Sequence, residues 1–190
     1  IPTLMPFQLN PFNGDNFIQE EFLRLKKKFN ITSVIETGTC LAGTTIWLAQ
    51  NFDRVFTVEV NRIWLKIAIN RIESASVGDK VKAFLGKSEQ VLDDIIKLYS
   101  LKDNTLMWLD AHWAEACPLL DELKAIANNK LKPVICIHDF MVPGEHELGY
   151  DTYGGQPFTF EWIKPYLDNI YGDGMYGVSY NTNENSGGAK

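Results

Sequence analysis

The 190-residue chain predicts an α/β fold in which a mostly parallel sheet is covered by helices on both faces. Short apolar runs rich in β-branched residues alternate with segments of helical periodicity along most of the chain. The runs VIET, MWLD and VICIHD are near-continuous apolar stretches ending in polar residues, the pattern of strands buried on both faces. Strands separated by helices in this way are joined by right-handed crossovers into a parallel sheet.

Taken in order, the first helix starts near Asn16, read as its cap, with Ile18, Phe22, Leu25 and Phe29 on one face. Lys26–Lys28 close it, where positive charge suits the helix dipole. Strands are expected over 31–36, 54–60, 81–85, 105–109 and 133–137, with a sixth over 176–180. Helices are expected over 44–51, from a cap at Asn61 to about 73, and from Ser88, read as a cap, to about 100. Pro118 suits a first helical position, and Leu119, Leu120, Leu123, Ile126 and Ala127 form the apolar stripe that follows. A last helix spans about 157–170, kinked or restarted at Pro165. The stretch 140–156 is glycine-rich, polar and too long for an ordinary connection, so it is read as a functional lid. The expected layout is one domain over 1–190: an N-terminal helix region to 30, a ligand-binding half over 31–140, then lid, helix and final strand.

Composition narrows the function. A net charge of −6, with Lys26–Lys28 the longest basic run, excludes a general nucleic-acid partner and leaves a small molecule. No apolar run reaches the ~20 residues that span a bilayer. Cys40, Cys117 and Cys136 are far apart and odd in number, which describes neither a disulfide framework nor a zinc site, and suits reduced thiols in the cytoplasm. The chain begins at Ile1, as a trimmed or processed piece would.

In open α/β sheets ligands bind beyond the carboxyl ends of the strands. The polar residues there are Glu36, Glu59, Gly86, Asp110 and the pair His138–Asp139. The turn after the first strand reads Glu36-Thr-Gly38-Thr39-Cys40-Leu-Ala-Gly43, with Gly38 and Gly43 at the outer positions of a GxGxxG turn. Cys40 replaces the middle glycine, which a pyrophosphate needs for close approach, so NAD and FAD are disfavoured. Glu59 follows at the spacing at which a carboxylate accepts from ribose hydroxyls. Gly86-Lys87-Ser88 lacks the earlier glycine of a P-loop, since position 81 is Val; Ser88 is instead a candidate for the adenine pocket. Asp110 and Asp139 end neighbouring strands, and two carboxylates side by side require something cationic between them. With His138 they make a candidate site for Mg²⁺ or Mn²⁺. The bland alternative is that His138 and Asp139 cap the strand or orient the lid. Trp113 is read as core or as a substrate platform.

The ordered segments VIETGTCLAG, VFTVEV, GKSEQVL, WLDAHW and ICIHDF resemble the class I S-adenosylmethionine-dependent methyltransferases over about residues 31–140. LDAHW and HD most resemble the branch containing macrocin O-methyltransferase and cephalosporin-hydroxylase-like enzymes. The resemblance implies a Rossmann-like three-layer αβα sandwich with strand order 3-2-1-4-5-7-6 and the last strand antiparallel. It implies that the turn with Glu36, Gly38, Thr39 and Gly43 holds the methionine part of the cofactor and that Glu59 holds the ribose. It implies further that Asp110 and an acidic pair after strand 5 hold a divalent ion. This chain departs from that pattern at His138, and it stops at Lys190 with no segment for a seventh strand.

The function these features favour is O-methylation of a small hydroxylated acceptor such as a sugar or natural product, with His112 as general base and Asp110 beside it. The rival readings are a non-catalytic component of a larger assembly that keeps the fold, and, disfavoured by Cys40, a nicotinamide-dependent oxidoreductase.

Overall fold

A computed structural model describes residues 9–112 and 116–182; Trp113 lies outside them. The helices are α1 (Asn16–Phe29), α2 (Gly43–Asn51), α3 (Arg62–Ser74), α4 (Ser88–Leu98), α5 (Leu119–Asn128) and α6 (Phe160–Tyr171). The strands are β1 (Ser33–Thr37), β2 (Arg54–Glu59), β3 (Val81–Leu85), β4 (Thr105–Leu109) and β5 (Val134–Ile137), with the short pair β6 (Thr152–Tyr153) and β7 (Gln156–Pro157). The first five strands form one sheet in the order β3-β2-β1-β4-β5, every pairing parallel.

Alternation along the strands divides the core into two apolar layers. Ile35, Phe56 and Met107 pack with α4, α5 and α6. Val34, Val55, Leu106 and Trp108 pack with α1, α2 and α3, where Phe12 and Phe22 meet Trp108 edge-on. The parallel register sets Leu109 beside Ile137, so the residues that follow β4 and β5 emerge side by side.

Several local expectations change. Asp15, not Asn16, caps α1, accepting from the amides of Phe17 and Ile18 at 2.8 and 3.1 Å. Phe22 and Leu25 are buried on that helix, but Phe29 is exposed because the chain leaves the helix at Asn30 in a left-handed conformation. Asn61 caps α3 as expected. Ser88 is the first residue of α4 rather than its cap; its hydroxyl is buried and makes no capping bond. α6 runs without interruption through Pro165, which stands inside the helix without an amide to donate to the turn before it. Residues 176–180 form no strand. Tyr176 is instead tied to α6, its hydroxyl donating to Asp168 at 2.8 Å and its ring packing on Tyr171. The sheet therefore ends at β5, which is half-buried throughout, and the expected strands 7 and 6 are absent among the described residues. The 140–156 segment is an ordered excursion with a 3₁₀ turn (His146–Leu148) and the β6–β7 hairpin. Among the described residues no helix is long and apolar enough to cross a membrane.

Candidate active site

Two groups of residues meet at the carboxyl edge of the sheet. The first is the turn after β1. The amides of Gly38 and Thr39 both donate to the carbonyl of Val58, which hangs the turn on β2. Gly38 has φ +91°, and a Cβ there would lie 2.3 Å from the carbonyl oxygen of Asp110, so the close approach of β4 demands glycine. Cys40 and Ala42 also take left-handed conformations. Glu59 fixes the far side of the turn: one oxygen accepts from the Cys40 amide and the other from the Asn61 amide, both at 2.8 Å. Each carboxylate oxygen keeps a lone pair for a further donor.

Glu36 and Gly43 have local tasks. Glu36 is fully buried and accepts from the hydroxyls of Thr45 and Thr57 at 2.5 and 2.6 Å through one oxygen. Burial pushes its pKa up to about 8, with the two hydroxyls opposing the shift. Gly43 opens α2, and a Cβ there would meet the carbonyl oxygens of Asn10 and Leu9 at 2.8 and 2.9 Å. Its missing side chain lets the segment before α1 cross the helix start, where the Phe12 amide donates to Thr44. Thr39 faces inward and shares a 2.6 Å hydrogen bond with Thr57. Ser88 is buried, and its hydroxyl and that of Thr37 face the carboxyl of buried Glu122. Burial pushes Glu122 up to about 7.

The second group follows β4 and β5. His138 Nδ1 lies 3.2 Å from an Asp110 oxygen and 3.0 Å from an Asp139 oxygen. His112 Nε2 lies 3.3 Å from the same Asp139 oxygen and 3.8 Å from Asp110. One ligand atom from each of these four residues falls within 4.8 Å of all the others. Burial works against charge on His138, but Asp110 and Asp139 outweigh it and hold its pKa well above the ordinary histidine value. Burial likewise opposes charge on Asp139, and its bonds to the two imidazoles overcome this and hold it well below the carboxylate range. Asp139 adopts a left-handed backbone (φ 52°), which turns the chain away from the sheet into the loop.

The loop returns to this cluster. The Asp151 amide donates to the carbonyl of Asp139 at 3.0 Å, the Phe158 amide to that of Asp151, and the Met141 amide to that of Phe158. Asp151 Oδ2 comes within 3.9 Å of His112 Nε2 and accepts from the Tyr153 hydroxyl at 3.1 Å. Phe158 is buried against the His112 ring, 4.9 Å between centroids. Sequence reasoning placed Asp110, His112, His138 and Asp139 together but missed Asp151 and Glu122. Asp151 belongs to no periodic pattern. Its one available signal was that its loop starts at the active edge of the sheet.

Neither a family model nor a curated protein matches the chain. Solved structures do. The O-methyltransferase TomG of Streptomyces achromogenes, involved in tomaymycin synthesis and solved with S-adenosylmethionine, superposes with a TM-score of 0.57 at 17% identity, over 80% of this chain and 66% of its own. This chain has a class I methyltransferase fold. A candidate caffeoyl-CoA O-methyltransferase from Staphylococcus aureus gives a TM-score of 0.54 at 14% identity, over 89% of this chain and 73% of its own. A candidate sarcosine dimethylglycine methyltransferase from Galdieria sulphuraria gives 0.52 at 10% identity, over 82% and 61%. The chain thus spans about two thirds of the length of TomG. The methyltransferase sheet order is present from β3 to β5, without, among the described residues, the two strands that the resemblance added beyond it.

Proposed function

We propose that the chain is an S-adenosylmethionine-dependent O-methyltransferase for a small hydroxylated acceptor, assisted by a divalent cation. The observation that carries this reading is the meeting, on a methyltransferase fold, of a glycine turn clamped by Glu59 with the Asp110–His112–His138–Asp139 cluster. The turn at Gly38, held against the Asp110 carbonyl, and the lone pairs that Glu59 keeps suit a nucleoside without phosphates. In this reading Thr39 and Gly43 would complete the turn around the methionine end, and Ser88 would line the adenine pocket.

Two carboxylates and two imidazoles are a donor set for a divalent ion, and the nitrogen donors favour Mn²⁺ over Mg²⁺. Asp110, His138 and Asp139 would hold it, and when bound it supplies Lewis-acid polarisation of the acceptor oxygen. His112 Nε2 takes the proton of the acceptor hydroxyl. The oxygen–methyl bond forms as the sulfur–methyl bond breaks, and sulfur keeps the electron pair. The sheet edge holds methyl group and oxygen in line, which supplies most of the rate. Phe158 and Tyr153 wall the cluster on the loop side and exclude water from His112.

Calorimetry with S-adenosylmethionine and with NAD tests the cofactor, and labelled methyl transfer to a panel of hydroxylated acceptors tests the reaction. Binding of S-adenosylmethionine is expected, with turnover lost in excess chelator and restored by Mn²⁺. Binding of NAD alone would refute the reading. Binding of the methyl donor with no turnover on any acceptor would favour a non-catalytic component of a larger assembly.

A further inference from the structure

Three carboxylate oxygens converge on one buried nitrogen. Asp139, Asp110 and Asp151 place an oxygen 3.3, 3.8 and 3.9 Å from His112 Nε2. Two of the three belong to the ends of sheet strands and cannot move without disturbing the core. The third comes from the loop, and its side chain is 42% exposed against 18% for Asp139. Three carboxylates gathered around one imidazole nitrogen, with the His138 imidazole beside two of them, offer the oxygen donors that a divalent cation takes.

The connections of Asp151 make its position more than a chance approach of a surface carboxylate. Its amide and carbonyl are both held, by Asp139 and Phe158, so its backbone is fixed against the end of β5. The Tyr153 hydroxyl holds the same oxygen that faces His112. Beyond this anchored base, Gly144, Gly154 and Gly155 have left-handed backbones with open space where a side chain would stand. The loop has a fixed foot at the cluster and glycine turns beyond it.

We propose that Asp151 is a loop-borne ligand of the divalent cation held by Asp110, His138 and Asp139, so that cation binding and ordering of residues 141–156 over the acceptor are one event. The inference rests on the methyltransferase reading for the acceptor but not for the cation or the loop. Asp151 stands outside the four residues whose ligand atoms are mutually close, and its exposed side chain would turn inward to join them. The protein then closes its acceptor side only when the cation is present, whereas the cofactor turn on the far side of Asp110 is unaffected.

The test uses Mn²⁺ as probe, with free Mn²⁺ read by electron paramagnetic resonance and loop protection by hydrogen exchange. The proteins are wild type, Asp151→Asn, Asp139→Asn, and Glu147→Gln as a loop control. Wild type and Glu147→Gln should bind Mn²⁺ and gain protection across 141–156. Asp151→Asn should bind Mn²⁺ about tenfold or more weakly, the scale on which even groups behind a metal ligand act, and gain no protection. Asp139→Asn should lose binding. Unchanged Mn²⁺ affinity in Asp151→Asn, unchanged loop exchange in Mn²⁺-loaded wild type, or no Mn²⁺ binding by wild type each overturns the proposal. Calorimetry with S-adenosylmethionine on the same samples separates these outcomes from failure of the methyltransferase reading, because the proposal leaves cofactor affinity in Asp151→Asn at the wild-type value.

Discussion

Replacing Glu59 by Gln probes the cofactor turn, because the change is nearly isosteric and the geometry around both oxygens is known. One oxygen accepts from Cys40 and the other from Asn61, each at 2.8 Å, in a site where Glu59 is 7% exposed. Glutamine keeps one acceptor and turns an NH₂ toward the other amide. One charge-assisted bond is lost and a donor faces a donor, at a cost of about 2 kcal/mol. For a chain of this size that lowers the melting temperature by roughly 4–8 °C. Glu59→Ala removes both bonds and the candidate ribose acceptor together, so S-adenosylmethionine affinity should fall by a further 1–3 kcal/mol, roughly 5- to 150-fold. Thermal unfolding with and without saturating cofactor, with calorimetry for affinity, separates the two effects. A Glu59→Gln protein that melts within about a degree of wild type would show that the turn is not held by this carboxylate. Unchanged affinity in Glu59→Ala would remove Glu59 from the cofactor site.

Three other predictions follow from the same geometry. Gly38→Ala forces a Cβ to 2.3 Å from the Asp110 carbonyl at φ +91°, so stability should drop by about 3 kcal/mol or more, whereas Gly154→Ala, with no atom within 4 Å, should cost about 1 kcal/mol; equal losses in urea unfolding would mean that the close approach of β4 is not what requires Gly38. Glu36 has a native pKa raised from 4.5 to about 8, so its contribution to stability is full below 4.5 and is lost as pH rises towards 8. Wild type should therefore lose up to about 1.4 kcal/mol per pH unit through this window from this one group, and Glu36→Gln should show a flatter profile; parallel profiles would refute the burial argument. His112→Gln should remove turnover while leaving S-adenosylmethionine binding in place, and a variant retaining most of the wild-type rate would exclude His112 as the base.

The sheet was legible in the sequence because strands buried on both faces leave an unbroken apolar signature. VIET, MWLD and VICIHD mark three strands of the sheet together with the charged groups at their ends. The pairing of Asp110 with His138–Asp139 was legible for the same reason, since neighbouring parallel strands deliver their next residues side by side. The cap at Asn61 followed from local chemistry. The misreadings arose where tertiary contacts decide. Tyr176 to Tyr180 has strand-like composition, but Tyr176 finds its partners on α6, and no neighbouring strand pairs with the segment. At Gly43 the sequence could not show the path of Leu9 and Asn10 over the start of α2, which fills the space where a side chain would stand. Glu36 lies at a strand end, yet the hydroxyls of Thr45 and Thr57, remote in sequence, hold it beneath the turn.

The two halves of the site are built with different rigidity. The turn that would hold the cofactor is tied to β2, β4 and α3 by backbone bonds and by Glu59, and glycine at 38 leaves β4 no slack. The side proposed for the acceptor is completed by a segment held to the end of β5 through Asp139 and closed on itself through Phe158, with Tyr150 exposed and Tyr153 turned toward His112. If the proposed function holds, a fixed donor site with an adjustable acceptor wall would let the fold keep its cofactor while the loop selects the hydroxyl. Deleting 145–155 should therefore abolish turnover, because it removes Asp151 and Tyr153, yet leave S-adenosylmethionine affinity within about threefold, or roughly 0.7 kcal/mol. Turnover retained on the preferred acceptor would refute the lid, and a collapse of cofactor affinity would place the loop in the nucleoside half instead.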